Sequence, residues 1–297
     1  MAKRFPISAT FIDEITYDIP SNNYSFDEWK RDLDYMQAVG INTLVFIRGG
    51  FLGRTIFPSK HFDCYREDDL VEFILSEADR RAMKVFIGLY ISNLTWNDGD
   101  YEEEIRQNRI FIDEVIEKYG HHPSFVGWYI PHEVATNVYN IEPLVKGLAS
   151  MCKTRTPNKL TLLSPFFPGD AISVSFSPER FFSEWDGIFS SFEGLIDICA
   201  YQDGSAPLSK AKEYFKVAKE LCAKHHIRLW ENAETFERDV RTLYFPIPFE
   251  QLRYKLDLLA PYVEGVITFE FSHFMSPQSI FPSAGRLYSL YKKHYED

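Results

Sequence analysis

The sequence predicts an α/β protein built as a single (β/α)8 TIM barrel over residues 1–297, and three observations predict it. Eight short apolar runs alternate with helical patterns along the whole chain. The length of 297 residues suits one such barrel. No glycine-rich phosphate or dinucleotide turn follows an early strand, which argues against the rival doubly wound sheet.

The strand candidates are 7–12 (ISATFI), 42–48 (NTLVFIR), 84–91 (KVFIGLYI), 125–131 (FVGWYIP), 159–164 (KLTLLS), 195–201 (LIDICAY), 227–232 (IRLWEN) and 265–271 (GVITFEF). Helical patterns fill the intervals, at 26–39, 67–83, 101–119, 141–154, 178–192, 208–225, 248–262 and 283–295. Their ends carry physical signals. Ser25 followed by Glu28 is a capping box, in which each residue can satisfy an orphan N–H of the first turn, and Gly40 supplies the stop. Ser177-Pro178 and Pro282-Ser283 suit first-turn proline. No linker or low-complexity stretch marks a second domain.

Composition narrows the function. With 43 acids against 32 bases the net charge is −11, which argues against a phosphate-tracking nucleic-acid binder. No apolar run approaches the roughly 18 residues of a membrane helix. The opening MAKRFPISATF has no apolar leader core, so the expected location is cytoplasmic; a removed leader would make it secreted or periplasmic. Cys64, Cys152, Cys199 and Cys222 lie far apart and read as reduced thiols. Aromatic residues reach 16%, enough both to fill a core and to line a site for sugar rings.

In a barrel, chemistry sits at the carboxyl ends of the strands, so strand parity selects candidates. On the fourth strand Tyr129, Pro131 and Glu133 share the expected inward parity. On the seventh, Ile227 and Leu229 take the helix side, leaving Trp230, Asn232 and Glu234 inward and Glu231 turned away. On the sixth, placing Ile198 and Ala200 against the helices leaves Cys199, Tyr201 and Asp203 inward. On the eighth, placing Ile267 and Phe269 there leaves Thr268, Glu270 and Ser272 inward. Four carboxylates, Glu133, Asp203, Glu234 and Glu270, are thereby expected at one mouth. Glycoside hydrolysis needs such a pair, one carboxyl neutral to protonate the leaving oxygen and one ionised as nucleophile or base. Each has a plainer alternative: a helix cap for Glu133, an ordinary turn for Asp203 in Asp203-Gly204, a salt bridge for Glu234 or Glu270.

These residues also carry a resemblance. The opening ISATFIDEITYDIPSNNYSFDEWKRDLDYMQAVGINTLVFIR resembles the domain-of-unknown-function 4434 family of glycoside hydrolase-like barrels, and GWYIPHE, AYQDG and LWENAETFE look like its later motifs. The resemblance covers nearly the whole chain. It implies a barrel similar to the large retaining clan of glycoside hydrolases, clan A, with the acid/base Glu ending strand four and the nucleophile ending strand seven. Carried over, Glu133 takes the acid/base position and Glu234, within a W-x-x-x-E-x-F pattern, the nucleophile position in preference to Glu231. His132 stands where clan members carry the Asn that contacts the sugar 2-hydroxyl.

The expected function is therefore a retaining glycoside hydrolase acting on an oligosaccharide or β-linked glycoside, with no cofactor. Glu133 and Glu234 are the catalytic candidates; Tyr201, Asp203, Glu270, Trp96, His132 and Glu231 are the candidate substrate contacts. Two other functions compete. One is a carbohydrate-binding barrel without turnover. The other is a metal-dependent hydrolase using His132, His273 and nearby carboxylates, although no His-x-His or HExxH spacing occurs.

Overall fold

A computed structural model of the chain describes residues 5–16, 20–92, 99, 101–133, 141–167, 177–205, 207–238 and 243–296. Eight parallel strands close into a barrel. They are β1 (Ala9–Ile12), β2 (Thr43–Phe46), β3 (Lys84–Gly88), β4 (Phe125–Ile130), β5 (Leu160–Leu163), β6 (Ile198–Gln202), β7 (Arg228–Glu234) and β8 (Gly265–Phe269). Closure comes from β1 pairing with β2 on one side (Ala9 opposite Thr43) and β8 on the other (Ala9 opposite Ile267). All eight lie inside the expected segments or within a residue or two of their ends.

The outer layer contains α1 (Phe26–Gln37), α2 (Leu70–Arg81), α3 (Tyr101–Tyr119), α4 (Glu142–Arg155), α5 (Pro178–Ser191), α6 (Leu208–Lys224), α7 (Phe249–Leu259) and α8 (Pro282–Glu296). Their ends follow the sequence signals. Glu28 accepts the Ser25 N–H at 2.7 Å, Ser177 Oγ accepts the Arg180 N–H at 3.3 Å, and Gly40 takes φ +83°, a conformation costly for any residue with a Cβ. No helix among the described residues is long and apolar enough to cross a membrane.

Apolar packing divides into two regions. The larger lies between strands and helices and includes Leu44, Ile87, Trp128, Cys199, Tyr201 and Leu229. The smaller fills the lumen with Ala9, Phe11, Val45, Phe86, Tyr129, Leu162, Ile198, Ala200 and Ile267. This corrects the parity expected on two strands. Ile198, Ala200, Ile267 and Phe269 point into the lumen, so Cys199 and Tyr201 point at the helices. Both faces of a barrel strand are buried, the lumen by layers of branched and aromatic side chains, so apolar character alone cannot choose between them. On β4 and β7 the expected parity holds, because Tyr129 and Trp230 join the lumen cluster and Leu229 the outer one.

Candidate active site

Beyond the lumen's apolar layers, the strand ends open into a cleft of about 250 Å3. Glu133, three residues past the end of β4, and Glu234, the last residue of β7, both line it. Asp13 and Arg48 enter from the ends of β1 and β2, Gln202 from β6, and Asn232 from β7. Phe11, Tyr129, Phe166, Phe236, Tyr244, Phe269 and Phe274 supply an aromatic wall.

The two glutamates have different surroundings. Glu133 is open to solvent within the cleft, yet the walls around it still disfavour its ionised form. Desolvation by those walls raises its pKa, while the guanidinium groups of Arg48 and Arg238 pull it down. Arg48 is itself tied to the segment after β1, donating to Thr16 Oγ1 at 2.6 Å and lying 3.6 Å from Asp13 Oδ2. Glu234 is pushed up to about 7 by burial and then by the negative charge of Asp203, with Lys255 and Arg238 opposing.

Behind Glu234 lies a second polar group. Asp203 is turned away from the cleft: its Oδ1 accepts the Glu234 N–H at 3.0 Å, and its Oδ2 pairs with Lys255 Nζ at 2.8 Å. Lys255 also donates to the Glu234 carbonyl at 3.1 Å. Gly204 gives the Glu234 carboxylate its room, since a Cβ there would lie 1.8 Å from Oε2. Glu231 is fully buried on the far side of β7, and burial together with the charge of Asp203 holds it in the neutral form.

The described candidates Tyr201, Glu270 and His132 do not line this cleft. Tyr201 packs in the helix layer, stacked on Phe167 with ring centres 4.5 Å apart and edge-on to Trp185. Glu270 is fully buried and accepts the His273 N–H at 2.6 Å, capping the short helix Phe271–Phe274. His132 is buried against Glu104, with Nε2 and Oε1 2.9 Å apart, which ties the end of β4 to α3. Trp96 lies outside the described residues. Of the histidines considered for a metal, His273 does reach the cleft, where its ring stacks on Phe274 and Phe281. Among the described residues, the His, Asp, Glu or Cys group close enough to share an ion is Glu72, His121 and His122, and none of the three lines the cleft.

Several cleft residues escaped the reading of the sequence. After β7 the chain forms an antiparallel hairpin, Phe236–Arg238 with Tyr244–Pro246, which brings Phe236, Arg238 and Tyr244 to the rim. Arg238 lies over the Tyr244 ring at 4.9 Å and the Phe236 ring at 5.9 Å. Two short aromatic runs flanking residues 239–243 were the available signal. Phe269 follows directly from the corrected parity of β8.

Comparisons with known proteins agree with this architecture. A solved structure from Bacteroides thetaiotaomicron VPI-5482, described as a putative alpha-L-fucosidase, is 36% identical, covers 100% of this chain and 95% of its own, and superposes with a TM-score of 0.93. The intracellular xylanase TsXylA of Thermoanaerobacterium saccharolyticum is 12% identical, with 90% of this chain and 86% of that one covered and a TM-score of 0.55. The GH2 beta-galacturonidase of Eisenbergiella tayi is 15% identical, with 99% and 52% covered and a TM-score of 0.60. These last two share the fold. No curated protein matches the chain. The sequence pattern described as Domain of unknown function (DUF4434) matches residues 7–281, and the chain belongs to that family.

Proposed function

We propose that the protein is a retaining glycoside hydrolase in which Glu133 is the acid/base and Glu234 the nucleophile. The observation that carries the reading is the meeting of two pKa-raised carboxyls, from the ends of β4 and β7, in one aromatic-lined cleft. In the first step a Glu234 oxygen attacks the anomeric carbon as the bond to the leaving oxygen breaks, and Glu133 gives that oxygen its proton. In the second, Glu133 takes a proton from water, whose oxygen attacks the anomeric carbon and releases Glu234. Aromatic rings such as Phe269 and Tyr244 offer apolar faces to the sugar, and the amide of Asn232 offers polar contacts.

One observation favours a second assignment with the roles exchanged. Burial and Asp203 push Glu234 up to about 7, the property of a proton donor, whereas at Glu133 two arginines oppose the rise that burial causes. Azide separates the two. It restores turnover of an alanine variant of the nucleophile with an anomerically inverted glycosyl azide, and of the acid/base with a retained one.

The substrate panel is a set of aryl glycosides in which α-L-fucosides stand beside β-linked sugars, because the similar Bacteroides protein is described as a putative alpha-L-fucosidase. Glu133→Gln and Glu234→Gln are expected to lose turnover while keeping the wild-type circular dichroism spectrum. Turnover at the wild-type rate in either variant would overturn the proposal. Binding of oligosaccharides with no turnover of any of them by the wild type would favour the non-catalytic barrel instead.

A further inference from the structure

We propose that Asp203 and Lys255 are positioning residues for Glu234, holding its main-chain N–H and C=O and so fixing how its carboxylate enters the cleft. The inference rests on the role given to Glu234 above, but its geometry stands apart from that role.

The reason for the arrangement lies in the sheet. In a strand, the N–H and C=O of one residue point to the same side. Thr235 donates its N–H to Phe269 of β8 at 3.0 Å, so the main-chain groups of Glu234 face β6. The β6 ladder stops at Gln202, opposite Asn232, two residues short of Glu234. A strand end left without a ladder partner would otherwise have buried, unpaired main-chain groups. Two side chains take the place of the missing strand: Asp203 accepts the N–H at 3.0 Å, and Lys255 donates to the C=O at 3.1 Å. Their own 2.8 Å ion pair closes the ring.

Lys255 has no ordinary packing reason to be where it is. It occupies the buried face of α7 with Leu252, Leu256 and Leu259, a position that an apolar side chain would fill at less desolvation cost. Burial opposes its charge, yet Asp203 and then the two glutamates of β7 hold the ammonium ionised. The charged groups facing Glu234 are Asp203 after β6, Lys255 on α7, and Glu237 and Arg238 on the hairpin, while Glu231 meets the same Asp203 and Lys255 from the other face of β7. Among these, Asp203 and Lys255 act on the Glu234 carboxyl with opposite signs. Loss of the lysine removes a positive charge and makes Glu234 harder to ionise. Loss of the aspartate removes a negative one and makes it easier.

The experiment is a carboxyl carbon-13 NMR titration of Glu234, its signal assigned by disappearance in Glu234→Gln. It is run on the wild type, Lys255→Met, Asp203→Asn and the double variant, alongside pH profiles of kcat and KM. The midpoint of Glu234 is expected to move up in Lys255→Met and down in Asp203→Asn. In Lys255→Met, kcat is expected to fall by tenfold or more with KM nearly unchanged. The double variant removes both charges together and guards against a fold lost to one buried unpaired charge. It is expected to melt cooperatively and still to lose kcat. An unmoved midpoint, or one moving in the same direction in both single variants, would overturn the proposal, as would wild-type kcat in the double variant. If the wild type turns over no glycoside, the catalytic reading fails. The opposed NMR shifts then still decide the clamp, and their absence removes it.

Discussion

The carboxyl ends of β7 and β8 each hold a group of buried carboxyls, and the two groups are wired differently. At β7, Glu234, Asp203 and Glu231 share Lys255, and Glu234 opens into the cleft. At β8, Glu270 faces Asp32, both fully buried, and no lysine or arginine pairs with either among the described residues. Asp32 instead takes hydrogen bonds from Ser276 and, at 2.9 Å, from Gln278, while Glu270 takes the His273 N–H. Burial raises the pKa of both carboxyls, with the charge of Arg31 only a minor opposing influence on Asp32, so this pair serves as a neutral hydrogen-bonding brace. The difference teaches that a buried acidic residue at a strand end ionises near neutral pH only when a cation and an opening to solvent stabilise its charge.

The largest expected effect separates the two ends in turnover. Glu133→Gln and Glu234→Gln should each lower turnover by about 10²-fold or more, the usual scale for removing a positioned acid or base. Glu270→Gln should leave it within a few-fold. An Glu270→Gln variant as inactive as Glu234→Gln would erase the distinction.

The next effect is on stability. Glu234 rests at about 7 in the folded chain against an ordinary carboxyl value of 4.5. The folded state therefore binds the extra proton, and its contribution is fully present below the lower value and lost as pH rises through the upper one. The difference amounts to about 3 kcal/mol. Glu234→Gln cannot ionise, so thermal melts should show it more stable than the wild type above neutrality and little changed under mild acid. An equal offset across the whole range would place the Glu234 pKa near its ordinary value.

The brace at β8 offers a smaller contrast. Glu270→Ala leaves the His273 N–H without its acceptor and should cost about 1–3 kcal/mol in chemical denaturation. Glu270→Gln keeps an acceptor and replaces a group already neutral, so its stability should stay close to the wild type. A large loss in Glu270→Gln would mean the carboxyl is ionised.

The smallest effect concerns Tyr201, whose hydroxyl is buried among rings and sulfur rather than offered to the cleft. Tyr201→Phe removes one buried hydroxyl and should change stability by no more than about 1 kcal/mol while leaving KM unchanged. A raised KM would return this residue to the sugar site.

The contrast between strand ends also explains what could be read from residues alone. Strands and helices were legible because the capping box at Ser25, the stop at Gly40 and the apolar runs are local signals. The inward course of β7 was legible because Ile227 and Leu229 share one face while Asn232 and Glu234 share the other. The two faces of β6 and β8 are both apolar, and a barrel buries both, so Tyr201 and Glu270 were assigned to the wrong side. Lys255 lies 52 residues from Asp203 and sits as one charge on a leucine-rich helix face. Its partnership exists only once α7 packs behind β7.

The pairing of Glu133 with Glu234 is the central claim, and trapping the reaction tests it most directly. The wild type is incubated with a 2-deoxy-2-fluoro glycosyl fluoride of a sugar it turns over, then digested and mapped by mass spectrometry. The account predicts one glycosyl label on the peptide containing Glu234. A label on Glu133 would exchange the two roles, and a label on neither in an enzyme that turns over would contradict the account.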